Sequence, residues 1–373
     1  MNRTIKYITN VSVILLFTLI LVSCDNSPVG FDQLDRNLTE PVSHEFAPRD
    51  SACYEKYVTN GASTNLILGK NQEYESRVLM MFPLADSALD SLTEVRLVLY
   101  TETQKSIAFN IYIVLQEWQE KGVTWRRTDS AGYWLNSGAD FSVTSIGNGM
   151  IAADSTVIIL NHIDSLVRNG HGLILVPQDT GFAILYSNET SKQPKVVYMY
   201  SDKKRNFISS ADASIIDTVD LHLGRNDLWI GAGYGYHTYL KFAVDTITIP
   251  EKATIATAEL ILHPDRSFLL TDTVEIGVHR LFEPYRQGLI TQKFNPNIST
   301  KARFTKADTV IKIDLKNLVQ FWSLNQDSNF GFVLNGQPEY SDIFRIELKA
   351  LNADSAERPR LKASYILPPK GRF

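Results

Sequence analysis

Asn110-Ile111-Tyr112-Ile113 places aliphatic side chains at every second position, and Glu275-Ile276-Gly277-Val278 repeats that spacing 165 residues later. Successive strand residues point to opposite faces, so Ile111 and Ile113 share one face, as a half-buried strand requires. Outward from this stretch, short runs rich in Val, Ile, Leu, Phe and Tyr recur at 77–82, 94–100, 109–115, 173–176 and 195–200, with turn residues between them. Many short strands with few helical patterns imply an all-β sandwich or barrel.

The two alternating stretches belong to a longer internal repeat. Leu66-Ile67-Leu68-Gly69 faces Leu228-Trp229-Ile230-Gly231, and the run at 77–82 faces Tyr239-Leu240-Lys241-Phe242. Glu94-Val95-Arg96-Leu97-Val98-Leu99 faces Thr257-Ala258-Glu259-Leu260-Ile261-Leu262, and Gln193-Pro194-Lys195-Val196 faces Arg358-Pro359-Arg360-Leu361. Seven such blocks keep offsets of 162, 162, 163, 165, 153, 159 and 165. Chance alternation does not hold so narrow a spacing, so the chain reads as two tandem β-sandwich modules at 51–200 and 210–367. The charged stretch 201–209 reads as a linker or, alternatively, as a surface hairpin of one large domain, and 368–373 as a C-terminal tail. Helix-like spacing at 159–167 and 314–322 predicts a short capping helix in each copy. Gly170 suits the stop of the first helix, and Asn325 stands near the end of the second.

Arg3 and Lys6 precede an apolar run over 11–22 and then Leu21-Val22-Ser23-Cys24, the order of a secretory signal ending in a lipobox. The run is about a dozen residues, short of the roughly 20 a spanning helix needs. The expectation is a lipoprotein signal peptide over 1–23, lipidation of Cys24 with palmitate-type chains, and attachment to a bacterial outer membrane or cell surface. Cleavage leaves 350 residues (373 − 23) and moves the net charge from −4 to −6 by removing Arg3 and Lys6. That charge offers nothing to nucleic acid. Residues 24–50, with Pro28, Pro41 and Pro48 among polar neighbours, read as a flexible tether. Cys53 is then the sole remaining thiol, so no intramolecular disulfide is expected.

The order of these strands, followed by Trp118-Gln119-Glu120-Lys121-Gly122-Val123-Thr124-Trp125 and a closing Pro-strand, resembles the DNRLRE domain family of bacterial surface proteins. The resemblance spans most of 60–200. In the second copy, Tyr285-Arg286-Gln287-Gly288-Leu289-Ile290-Thr291 keeps an aromatic and a Gly but not the second Trp, and neither copy carries the family's namesake string. The resemblance implies jelly-roll modules of carbohydrate-binding type, some members of which bind uronic-acid polysaccharides through basic side chains.

The seven histidines form no His-x-His or His-x-x-x-His pair, and with one thiol left a multi-thiolate site is excluded, so no metal or cofactor is expected. The Asp and Asn turn residues at 136–140 could donate oxygens to calcium, but no Asp-x-Asp-x-Asp-Gly loop is present. Gly231-Ala232-Gly233-Tyr234-Gly235-Tyr236 is followed by a strand rather than a helix N-terminus, so it reads as a turn and not a phosphate cradle. No catalytic residues stand out, and an enzyme is not expected.

Trp118, Trp125, Arg126, Arg127, Tyr133 and Trp134 gather the groups a sugar needs. Aromatic faces stack on C–H faces of sugar rings, and guanidinium forks pair with carboxylates. Trp118 and Trp125 equally suit a plug at the end of the sandwich. A second aromatic cluster, Tyr234, Tyr236 and Tyr239, accompanies the glycine turn, with Tyr239 read as structural. The expected function is a non-catalytic envelope lipoprotein that holds polysaccharide. The alternative is an architectural or adhesion protein contacting other envelope proteins, with no sugar site.

Overall fold

The structure, a computed structural model, describes residues 40–367 apart from 84–91, 103–104, 162–170, 220, 225, 246, 252 and 287–293. The leader 1–23, Cys24, tether residues 25–39, residues 162–167 of the first expected helix with its stop Gly170, and the tail lie outside the described residues. No helix among the described residues is long and apolar enough to cross a membrane.

The chain opens with β1 (Val42–Phe46) and β2 (Pro48–Tyr57). There follow β3 (Asn65–Lys70), β4 (Tyr74–Met81), β5 (Leu92–Tyr100), β6 (Ile107–Ile113), β7 (Gly147–Ile151), β8 (Ser155–Leu160), β9 (Leu173–Pro177), β10 (Gly181–Tyr186), β11 (Lys195–Tyr200), β12 (Lys204–Ile208) and β13 (Ala211–Thr218). The second half supplies β14 (Leu228–Ala232), β15 (Tyr234–Phe242), β16 (Thr254–Leu262), β17 (Pro264–Leu269), β18 (Thr273–Arg280), β19 (Thr300–Thr305), β20 (Ile311–Asp314), helix α1 (Lys316–Leu324), β21 (Phe332–Gln337), β22 (Phe344–Leu348) and β23 (Arg360–Ile366).

The fold is all-β, with two sandwiches. In module 1 the sheet β10-β3-β4-β9-β6-β7, with β13 also on β4, faces the sheet β12-β11-β5-β8. Between them Leu66, Val78, Leu97, Phe109, Ile111 and Leu175 form the core, Ile111 on the face its alternation predicts. In module 2 the sheets β19-β18-β21-β15-β2 and β14-β22-β17 oppose β1-β23-β16-β20 around Phe242, Leu260, Ile276, Phe332 and Leu361. Removing each such side chain from water stabilises the fold by about 1.5–3 kcal/mol.

Strand pairing corrects the expected division. β1 and β2 fall in the expected tether and at the start of the first module, yet they pair with β23 and β15 of the second. β12 falls in the expected linker but pairs with β11, and β13, the expected start of the second module, runs along β4. Module 1 is therefore closed by the strand pair that follows β11, and module 2 by the strand pair from the other end of the chain. The physical reason is the edge: without β2 and β13, β15 and β4 would each present a row of unpaired backbone N–H and C=O groups. The closures match closely. Phe207 stands opposite Val196 and Phe46 opposite Leu361, positions equivalent in the repeat. Ser76 Oγ donates to Ile67 O at 2.6 Å and Thr238 Oγ1 to Trp229 O at 2.7 Å. Ile67 N donates to Ser214 Oγ on β13, and Trp229 N to Cys53 Sγ on β2.

The modules meet through a buried cluster that includes Ile67, Tyr74, Ile216, Trp229, Tyr236 and Ile343. Arg345 is buried there, its Nη2 3.0 Å from Glu73 of module 1 and 2.8 Å from Glu347. A buried charge is tolerable only with such partners. Gly233, at φ 80°, makes the β14–β15 turn expected of the glycine run.

Of the two expected helices, the second lies within the described residues. α1 buries Leu318, Val319 and Trp322 and ends at Asn325, as its spacing predicts. In the first copy Ile159 and Leu160 belong to β8, with Leu160 inward and Ile159 exposed, so no helix begins there.

Candidate functional site

Residues 114–146 of module 1 leave the end of β6 and fold over the outer face of the larger sheet. Backbone hydrogen bonds from Gln119 to Thr128, Val123 to Gln119 and Thr124 to Arg127 give the excursion its own turns. Its indoles then pack on Leu79, Ile174, Ala213 and Ile215. Trp118 is 3% exposed, and its Nε1 donates to His171 O at 2.8 Å. Trp134 is 6% exposed, with Nε1 donating to Thr124 O at 3.0 Å. Trp125, 7% exposed, lies under the Arg77 guanidinium at 4.6 Å. Arg77 Nη1 donates to Gly138 O at 2.7 Å, and Gly138, at φ 87°, passes so near that a Cβ would lie 2.9 Å from the Trp125 ring.

The stacking role expected of Trp118, Trp125 and Trp134 is thus corrected. Their faces are packed and their N–H groups satisfied inside the protein, which is how buried tryptophan is accommodated. Arg126, Arg127 and Tyr133 remain at the surface. The Arg126 guanidinium stands 5.0 Å over Tyr57, whose hydroxyl donates to Asp217 at 3.1 Å. Burial and the Asp217 carboxylate push that hydroxyl up to about 12.

Tyr133 is 58% exposed. Arg127 Nη2 donates to its hydroxyl at 3.0 Å, Nη1 donates to Ser130 O at 3.0 Å, and the guanidinium lies 5.0 Å from the ring. The turn beneath is fixed by Asp129, whose Oδ1 accepts from Ala131 N at 2.7 Å and Gly132 N at 2.6 Å. Those two N–H groups hold the carboxyl below its ordinary range.

Beside Tyr133 opens a groove of about 590 Å³ lined by Leu115, Gln116, Leu135, Asn136, Asp140 and Phe141. Gln116 joins the two, since its Nε2 donates to Tyr133 O at 3.0 Å. Leu135 is 88% exposed on the rim. Asp140 accepts from Leu135 N at 2.6 Å, from Asn136 N at 3.0 Å and from Asn136 Nδ2 at 2.7 Å, so the turn at 136–140 satisfies its own oxygens. The groove was not singled out in the sequence because Leu115 and Leu135 look like ordinary core residues there.

Module 2 places different chemistry on the equivalent face. Tyr234 and Tyr236 turn into the junction between modules, whereas Tyr239 faces the other way and stacks on Tyr285 at 4.3 Å. Next to it His237 is fully buried. The Tyr54 hydroxyl, kept protonated by burial, donates to its Nδ1 at 2.9 Å, and its Nε2–H donates to Glu339. Lys56 Nζ lies 3.0 Å from the other Glu339 oxygen. Burial lowers the His237 pKa and keeps the ring neutral. Burial opposes ionisation of Glu339, but the His237 hydrogen bond and Lys56 outweigh it and hold the carboxyl at about 2. His279 faces Asn295 O at 2.9 Å and Gln337 Nε2 at 3.0 Å. Every group in this chain has a partner, which makes it a structural network.

Among the described residues no group of three or more His, Cys, Asp and Glu side chains is placed to hold a metal ion. Cys53 is pushed up to about 12 by burial, so its thiol is no nucleophile at neutral pH.

No family model and no curated protein matches this chain. Among solved structures it is similar to the tandem CBM22-1-CBM22-2 domain of Xyn10C from Paenibacillus barcinonensis, at 8% identity and a TM-score of 0.15, over 89% of this chain and 98% of that one. A structure of manganese lipoxygenase of Gaeumannomyces graminis with partial zonadhesin of Komagataella pastoris is matched at 10% identity and a TM-score of 0.13, over 85% of each chain. At such scores neither likeness bears on function.

Proposed function

We propose that this chain is a non-catalytic envelope lipoprotein, anchored through Cys24, that holds an acidic polysaccharide on module 1. The observation that carries the reading is Tyr133, an exposed ring fixed beside Arg127, with its backbone carbonyl held by Gln116 of the neighbouring open groove. The free face of Tyr133 suits the C–H face of a sugar ring, and the guanidinium suits its carboxylate. Asn136, exposed on the groove, would offer its Oδ1 to sugar hydroxyls. The buried indoles act as the rigid floor of that surface, because a ledge on a packed support loses less entropy on binding.

Affinity electrophoresis of the full chain in detergent, through gels containing alginate, pectin or neutral glucan, tests the reading. Retention by the uronic polymers, lost in Tyr133→Ala and in Arg127→Ala, is expected. Equal retention of the wild type and both variants would sink the site. For the anchor, Cys24→Ala should move the protein from the detergent to the aqueous phase, and unchanged partition would contradict it.

A second reading, adhesion to another protein, is favoured by Leu135 and by Val143, which is wholly exposed. No retention on any polymer, together with a partner captured through Leu135, would select it.

A further inference from the structure

Four segments of module 1 converge where β13 begins. Asp212 opens β13 and its backbone N–H donates to Glu120 Oε1 at 2.9 Å. Asn188, in the turn after β10, donates from Nδ2 to the same Glu120 oxygen at 3.2 Å and from its backbone N to Asp212 Oδ2 at 2.9 Å. Asn60, in the connection between β2 and β3, donates from Nδ2 to Ser214 O at 3.2 Å. Gly61 beside it lies so close that a Cβ would be 2.6 Å from Glu120 Cγ.

The amide and backbone hydrogens in this cluster are spent, but its oxygens are not. Asn60 Oδ1, Asn188 Oδ1 and Asp212 Oδ1 are buried and receive no hydrogen bond, the Ser209 hydroxyl near Asp212 donating instead to the Ala211 and Met81 carbonyls. Among the described residues they are three of the five buried side-chain carbonyl or carboxylate oxygens in that state, the others being on Gln116 and Asn329. Asn60 and Asp212 are each 1% exposed. A buried oxygen without a partner costs about 1–3 kcal/mol, so three in one place call for a shared electropositive partner. No Lys or Arg forms an ion pair with Asp212, Glu120 or Glu189 among the described residues.

We propose that Asn60, Glu120, Asn188 and Asp212 form a binding site for a hard divalent cation, calcium in preference to magnesium. The donor set is all oxygen, mixed carboxylate and amide. Calcium accepts that with water completing six to eight ligands, whereas magnesium demands a near-ideal octahedron. Two carboxylates supply the charge, with Glu189 at the rim. Occupancy would tie the loop carrying Trp118 and Trp125, through Glu120, to the strand β13 that closes the module. The sugar reading is not needed for this.

The test is calcium chloride titrated into the EDTA-stripped full chain in detergent, with calorimetry and thermal unfolding as readouts. One site with a Kd of about 10⁻⁴ M or tighter is expected. The midpoint should rise by about 4 °C at a hundredfold excess over Kd, with a smaller rise for magnesium chloride. Asp212→Asn should abolish binding and the rise while leaving the metal-free midpoint unchanged or higher, which separates lost binding from misfolding. Glu120→Gln should also abolish binding. The proposal is overturned by no binding up to about 10 mM calcium, by a rise that sodium chloride reproduces at equal ionic strength, or by a calcium response that survives in Asp212→Asn.

Discussion

Modules 1 and 2 share a strand plan and cover the outer face of their larger sheet in opposite ways. Module 1 presents Leu79, Ile174 and Ile215 and seals them under three indoles. Module 2 presents His237, His279, Gln337 and Glu339 and satisfies them with one another and with Tyr54 and Lys56 of β2. Duplication therefore kept the sandwich cores and let the outer faces diverge. Among the described residues the long excursion that ends in Tyr133 and Arg127 belongs to module 1, so the proposed sugar site is placed there. The same contrast runs through the closing strands: Phe46 is buried in the core of module 2, whereas its equivalent Phe207 is half-buried.

The largest effect should come from the indole floor. Trp118→Ala removes a packed ring and orphans the His171 carbonyl, at a cost of about 3–5 kcal/mol. Hydrogen exchange should show the loss around β4, β9 and β13, with module 2 amides keeping their protection longer.

The closing strands come next. Phe46→Ala should cost about 3 kcal/mol and Phe207→Ala about half that, measured by urea unfolding. Equal costs would remove the distinction between the closures.

Module 2 should also be the acid-sensitive half. Glu339 sits at about 2 in the folded chain against 4.5 when unfolded, so its contribution is present above about 4.5 and is lost as pH falls toward 2. His237 is depressed below its unfolded 6.5, so the unfolded chain takes up a proton first and stability begins to fall below about 6.5. Both signs agree. Glu339→Gln should cost about 2 kcal/mol at pH 7 and flatten the acid slope of the unfolding midpoint.

The smallest change in stability belongs to the exposed ledge. Tyr133→Ala should move stability by less than about 0.5 kcal/mol while removing polymer retention. A large stability loss would make Tyr133 a structural residue.

Sandwich strands were legible in the sequence wherever one face meets a core. β11 was bounded correctly, and β6 and β18 were found from alternation alone, because Ile111 and Ile276 must point inward. β2 was not legible. Pro48, Asp50 and Ser51 sit on a half-exposed edge strand whose partner, β15, lies nearly two hundred residues away, and a one-sided edge leaves little periodicity to read. The indoles were ambiguous for a related reason. A tryptophan that stacks on a sugar and one that plugs a sheet have the same local spacing, and what decides between them is a distant carbonyl such as His171 O. Asn60 stands 128 residues from Asn188 and 152 from Asp212, beyond the reach of any local motif.

The exchange of closing strands is best examined through Cys53, which stands opposite Thr238 on β15, with its sulfur 3.9 Å from the Thr238 hydroxyl. The full chain carrying Thr238→Cys, refolded in an oxidising glutathione buffer, should form a disulfide between position 238 and Cys53, identified by mass spectrometry of the linked peptides. Ser76→Cys, the equivalent change on β4, should leave its new thiol free, because β2 lies on the other module. A link from Cys53 to position 76, with position 238 remaining reduced, would mean that each module closes with its own leading strand and would contradict the exchange.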